Sequence, residues 1–133
     1  MILDSSAVVA VLRAEPEAPE IVRTMDGAET CSISVVSYVE AAIVIDSSRD
    51  PIASRRFDDF FREAEIVLEP VTRRQAEIAR EAYRDFGKGR HRAGLNFGDC
   101  FAYALAKSLN EPLLFKGNDF RHTDIQPAAD LKD

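Results

Sequence analysis

Met1-Ile2-Leu3-Asp4-Ser5-Ser6-Ala7-Val8-Val9-Ala10-Val11-Leu12 opens the chain. A short apolar run ends on an acid, two serines follow, and an apolar run comes next. Aspartate and serine favour helix N-caps, so this stretch reads as a very short strand, a turn and a helix. The same pattern recurs downstream. Thr30-Cys31-Ser32-Ile33-Ser34 alternates as a second strand, and Ser34 or Ser37 caps a long helix to about Ser48. Along that helix Val35, Val39, Ala42, Ile43 and Asp46 stand at helical spacing. Residues 65–69 form a third strand, Leu113-Leu114-Phe115 a fourth and Ile125-Gln126 a short fifth. Further helices are predicted over 16–27, from Pro51 to 64, and over 72–86. Another begins at Asn96 and runs through Leu109, with Phe97, Phe101, Ala104, Leu105 and Ser108 on one side. Strands separated by one or two helices predict a parallel sheet covered on both faces, an α/β fold.

The chain has 133 residues, which suits one domain over 1–133. It is 46% apolar and 30% charged, enough for a packed core and unlike a disordered chain. No run approaches the roughly 18 apolar residues of a membrane span, so no membrane association is expected. A basic stretch leading into a long apolar one is likewise missing at the start. Cys31 and Cys100 both fall in apolar segments and read as reduced core thiols of a cytoplasmic protein. The net charge of −6 argues against a polyanion partner, but its distribution does not. Residues 72–93 hold Arg73, Arg74, Arg80, Arg84, Lys88, Arg90 and Arg92 against Glu77, Glu81 and Asp85, which makes the segment +4 and the remainder −10. A phosphate-gripping stripe and a solvated helix with i,i+4 ion pairs both fit this pattern.

Several chemistries lack their residues. No pair among Cys31, Cys100, His91 and His122 has zinc-finger spacing. There is no G-x-S-x-G elbow, and Gly87-Lys88-Gly89 ends a helix instead of following a strand. A haloacid-dehalogenase-type phosphatase needs a second aspartate two residues after the first, where Ser6 stands. The carboxylates are more telling. Asp4 follows the first strand, Glu40 interrupts an apolar helix, Asp99 opens another helix and Asp119 follows the fourth strand. Each alone reads as a cap, a turn or a solvent-facing acid. Together they can converge at one sheet edge, where mutual repulsion calls for a divalent cation. Mg²⁺ or Mn²⁺ prefers such oxygen ligands and would orient water for attack on a phosphodiester.

Those residues stand in recognisable blocks. They are the opening Met1–Ala10 run, Ser34-x-x-Ser37-x-x-Glu40, Leu95-Asn96-Phe97-Gly98-Asp99-Cys100-Phe101-Ala102-Tyr103-Ala104-Leu105-Ala106, Lys116-Gly117-Asn118-Asp119-Phe120 and Thr123-Asp124-Ile125. In these blocks, and in order over nearly its whole length, the chain resembles the PIN-domain ribonucleases, specifically the VapC toxins of toxin–antitoxin pairs. The resemblance implies a three-layer α/β/α fold with a short, mostly parallel central sheet. It implies an Mg²⁺-dependent (or Mn²⁺-dependent) endoribonuclease, an RNA substrate, a cognate VapB-type antitoxin and a homodimer. By position, Asp4, Glu40 and Asp99 match the family's acidic, metal-binding core. Asp119 matches the fourth acid with Asn118 beside it, and Ser6 matches a hydroxyl residue near the metal. Lys88, Arg90 and Arg92 are the expected RNA-backbone contacts, with the other arginines of 72–93 as further candidates. Apolar helix residues, among them Val8, Val11, Leu12, Ile21, Val22, Tyr38, Ala42 and Ile45, are expected to leave a docking groove for a partner helix. A catalytically silent RNA- or partner-binding module on the same fold is the competing reading.

Overall fold

A computed structural model describes residues 1–131. Strand β1 (Ile2–Leu3) stops after two residues because Asp4 turns its carboxylate onto the Ser6 N–H and caps helix α1 (Ser5–Leu12). After α2 (Ala18–Asp26), strand β2 (Ser32–Ser34) ends in the same way, with the Ser34 hydroxyl accepting from Val36 N–H to start α3 (Val35–Asp46). Asp50 caps α4 (Pro51–Glu63), whose first position is a proline, and Thr72 caps α5 (Arg73–Phe86) after β3 (Val67–Glu69). A reciprocal Asn96–Asp99 capping box starts α6 (Phe97–Leu109). Strand β4 (Leu113–Leu114) and a 3₁₀ turn (Asp119–His122) follow.

The sheet order is β3-β2-β1-β4, with every pairing parallel. Successive residues of a strand face opposite ways, and the core divides accordingly. Ile2 and Leu113 pack into the layer of α5 and α6, whereas Leu3, Ile33 and Leu114 pack into the layer built by the first four helices. The expected three-layer α/β/α arrangement is present, and the sheet is wholly parallel. Because β1 sits between β2 and β4, the chain's direction of progress reverses beside it. Open parallel sheets bind ligands at the carboxyl ends of strands flanking such a reversal. Asp4 occupies that position.

Five local expectations need correction. Ile125-Gln126 makes no strand; only an isolated Leu113–Pro127 bridge forms, with Leu113 N–H donating to Gln126 O (2.9 Å) and Ala128 N–H to Leu113 O (2.8 Å). The third strand starts at Val67 and the second helix at Ala18, later than expected. Along α3 the buried residues are Ser37, Ala41 and Ile45, while Val39 is 50% and Ile43 62% exposed. In α6 the buried face is Gly98, Cys100 and Ala102 to Ala106, and Phe97 is 74% exposed. Both helices are apolar on nearly all sides, so periodicity alone could not choose their inward face. Cys31 and Cys100 are buried free thiols, as expected.

Candidate active site

Asp4 is 3% exposed. Its Oδ2 accepts hydrogen bonds from Ser6 N–H (3.0 Å) and Ser6 Oγ–H (2.6 Å). Its Oδ1 is buried without a hydrogen-bond partner among the described residues. Burial pushes this carboxyl above its ordinary range; the Ser6 hydrogen bonds pull against that, and the charge of Asp119 adds to it. An uncompensated buried acceptor is costly, and a bound cation would remove that cost.

Ser6 also connects two parts of the edge. Its Oγ accepts the Lys116 N–H at 3.0 Å, which ties Asp4 to the segment leaving β4. The Lys116 ammonium in turn meets Glu15 at 2.6 Å and Glu17 at 3.0 Å, from the loop after α1. Sequence reading singled out Ser6 but missed this clamp, because a lysine after a strand carries no local sign of two distant glutamates.

Glu40 lies in the second turn of α3, with its carboxylate against Gly98 in the first turn of α6. A β-carbon on Gly98 would overlap that carboxylate. The missing side chain is what allows the acid to rest at a helix N-terminus, where the macrodipole favours negative charge. Burial and then the charge of Asp4 raise the Glu40 pKa, partly offset by a hydrogen bond from Ser5. In the sequence Gly98 stands only as one residue of the Leu95–Ala106 block, and nothing there signals that Glu40 rests on it.

Asp99 is held by the capping box, its Oδ2 accepting Asn96 N–H at 3.0 Å while Asn96 Oδ1 accepts Asp99 N–H at 2.9 Å. Its carboxyl is pushed up to about 7, first by burial and then by Asp4, with Asp119 and Glu40 adding to the shift. Asp99 therefore feels all three other acids, and they share one edge of the sheet. Asp119 is exposed at the start of the 3₁₀ turn, with Asn118 exposed beside it. The donors are all oxygen, the set that Mg²⁺ and Mn²⁺ accept, so the residues suit such an ion. Among the described residues no three acids, histidines or cysteines already stand close enough to grip one. Like charges favour that looser spacing, and magnesium sites commonly keep several waters.

The basic residues divide. Lys88, Arg90 and Arg92 are exposed on the loop that leads into Asn96, closed by a Gly87–Leu95 bridge. Arg90 lies over the Tyr83 ring at 5.7 Å. Arg80, Arg84 and Arg90 line one groove, Arg74 lines another with Glu81 and Asp85, and Arg80 and Arg84 also border a third with Arg74, Glu77 and Glu81. Arg73 makes an exposed ion pair with Glu77 at 3.8 Å, so the solvated-helix reading describes the first turn of α5. The expected docking face also shrinks: Val8, Ile21 and Ile45 are core residues, and Val11, Leu12, Tyr38 and Ala42 pack partly against that core. A 360 Å³ groove remains, lined by Leu12, Arg13, Val44, Ile52 and Arg56 among others.

A family model for the PIN domain matches residues 1–126. The chain belongs to the PIN-domain family. Within it, this PIN domain is 54% identical to Ribonuclease VapC28 of Mycobacterium tuberculosis over 133 residues, 99% of this chain and 100% of that protein. It is 48% identical to Ribonuclease VapC of Mycolicibacterium smegmatis over 125 residues, 94% of this chain and 97% of that one. These full-length relationships place it among the VapC proteins. Its fold matches the crystal structure of M. tuberculosis VapC20, described as a sarcin-ricin-loop-cleaving toxin, with a TM-score of 0.72, 14% identity and coverage of 93% and 95% of the two chains. A toxin–antitoxin complex from Klebsiella pneumoniae matches with a TM-score of 0.70, 13% identity and 92% coverage of each chain. No helix among the described residues of this PIN protein is long and apolar enough to cross a membrane.

Proposed function

We propose that this chain is one PIN domain over 1–133 acting as a divalent-metal-dependent endoribonuclease, the toxin of a VapB–VapC pair. The observation that carries the reading is the buried Asp4 carboxylate, with an unpartnered Oδ1, electrostatically joined to Glu40, Asp99 and Asp119 at the sheet's carboxyl edge. Full-length similarity to proteins named as ribonucleases supports the substrate class. Asp4, Glu40 and Asp99 would hold Mg²⁺ or Mn²⁺. The bound ion would supply charge stabilisation to the phosphodiester and a more acidic water. Ser6 fixes the Asp4 carboxylate through two hydrogen bonds and leaves Oδ1 to the ion. Asn96 fixes Asp99 in the same manner. Asp119, outermost of the four, takes the proton of the attacking water at its carboxylate, with Asn118 beside it as a polar neighbour. Lys88, Arg90 and Arg92 hold the RNA backbone, which the acidic body would otherwise repel.

The partners follow the same reading. An antitoxin helix would dock in the groove between Leu12 and Ile52, and a second copy of the chain would cover the outward Val39 and Ile43 of α3. Free buried thiols suit action in the cytoplasm. Incubation of the purified protein with total RNA tests the reading. Discrete fragments should form with Mg²⁺, vanish with chelator and be missing for Asp4→Asn. Cleavage that survives both treatments would refute it.

A further inference from the structure

Between α5 and α6 runs a groove of about 690 Å³, floored by Ala76, Ala79, Cys100 and Phe101. Arg80, Arg84 and Arg90 line it; Arg80 and Arg84 also border Glu77 and Glu81, but none of the three forms an ion pair among the described residues. Tyr83 and Phe97 complete it; Tyr83 is 41% exposed and already lies beneath the Arg90 guanidinium at 5.7 Å. Phe97 is 74% exposed and braced edge-on by Phe101, with ring centroids 4.9 Å apart. Exposing the largest apolar side chain of a helix's first turn is unfavourable unless something covers it. Phe97 is also two residues from Asp99, so whatever covers it lies beside the carboxylates.

Aromatic faces flanked by unpaired arginines are what an unstacked nucleobase and its phosphates require. We propose that this groove is a base-stacking subsite, in which an unpaired nucleotide next to the scissile phosphate lies on Phe97 while Arg80, Arg84 and Arg90 hold its phosphates. The charge supports RNA over a protein helix: three arginines surround the apolar floor in a chain whose net charge is −6. The proposal rests on the ribonuclease reading and adds to it a requirement for a base at the position that meets Phe97. A duplex would keep its bases stacked and out of reach.

The test uses the full-length Asp4→Asn protein, so that binding is read without cleavage. The probe is a mixed-sequence single-stranded 12-nucleotide RNA, in one form intact and in another with one abasic site, placed in turn at each position. The intact probe should bind about tenfold more tightly than the worst abasic form, within the range that base–aromatic stacking gives. Phe97→Leu, apolar but without a ring face, should erase that difference, whereas Phe97→Trp should keep it. Equal binding of intact and abasic probes, or a difference that survives Phe97→Leu, overturns the subsite. So does a fall from dimer to monomer on Phe97→Glu in sedimentation, which would assign the groove to a second copy. Metal-dependent cleavage by the unmodified protein is measured in parallel. Its presence alongside any of those results leaves the ribonuclease reading standing while the subsite falls, and its loss removes both.

Discussion

The Glu40 carboxylate occupies the space that a β-carbon on Gly98 would fill. One acid's position therefore depends on the absence of a side chain on a different helix. Gly98→Ala should push Glu40 off the start of α6 and cut Mg²⁺-dependent cleavage by roughly tenfold or more, as loss of a supporting contact at a metal site does. Stability should change little, because alanine gains about 0.5–1 kcal/mol over glycine inside a helix and offsets part of the displacement. Parallel melting and cleavage assays check this. Wild-type cleavage in Gly98→Ala would show that the Glu40 carboxylate is free to move elsewhere without consequence.

Ser6→Ala removes a 2.6 Å donor to Asp4 and the acceptor of the Lys116 N–H. The buried carboxyl should then shift further upward, and Mn²⁺ affinity at neutral pH should fall by about tenfold. Leaving the Lys116 N–H unpaired should also cost about 1–2 kcal/mol in denaturant unfolding. Ser6→Thr keeps the hydroxyl and should recover most of the affinity. Equal loss in both variants would point to packing as the cause.

Asp99 gives the metal-free protein a pH dependence with a definite sign. Its carboxyl titrates near 3.8 when unconstrained and at about 7 in the fold, so between those values the folded state holds the extra proton. The stability this group contributes is complete below about pH 4 and is lost as pH rises through 7, at most about 1.4 kcal/mol per pH unit. Metal binding must displace that proton, so Mg²⁺ affinity should climb over the same window. Chelator-treated protein melted from pH 4 to 8, with and without Mg²⁺, checks both slopes. A metal-free melting temperature that rose steadily toward pH 8 would contradict this ionisation.

Neutralising Lys88, Arg90 and Arg92 together should weaken RNA binding and flatten its salt dependence by about 0.7 in slope for each lost phosphate contact. An unchanged slope would return these residues to ordinary solvated charge.

The helix starts were legible because their signals are local. Asp4, Ser34, Thr72 and Asn96 each cap the helix that follows, and the carboxylate, hydroxyl or amide oxygen that does so sits next to it in sequence. Asp4, Asp99 and Asp119 stand out in the sequence for a related reason, since each follows a strand or opens a helical turn, whereas Glu40 stands out only as a carboxylate within the apolar run of α3. What stayed hidden depends on packing. Val39, Ile43 and Phe97 looked inward because helices apolar on every side give no phase. Gly98 under Glu40, and Lys116 bound to Ser6, Glu15 and Glu17, join residues far apart in the chain, and neither partner advertises the other. Ile125 looked like a strand residue because it is apolar, and it is buried instead as a core residue of the α5–α6 layer beside a single Leu113–Pro127 bridge.

Asp4, Glu40 and Asp99 are expected to form one cation site. Titration calorimetry with Mn²⁺ on the wild type and on Asp4→Asn, Glu40→Gln and Asp99→Asn tests it most directly. One tight binding event is expected in the wild type, weakened at least tenfold by each single substitution. A substitution among the three that left that event at wild-type affinity would place its carboxylate outside the site and contradict the claim.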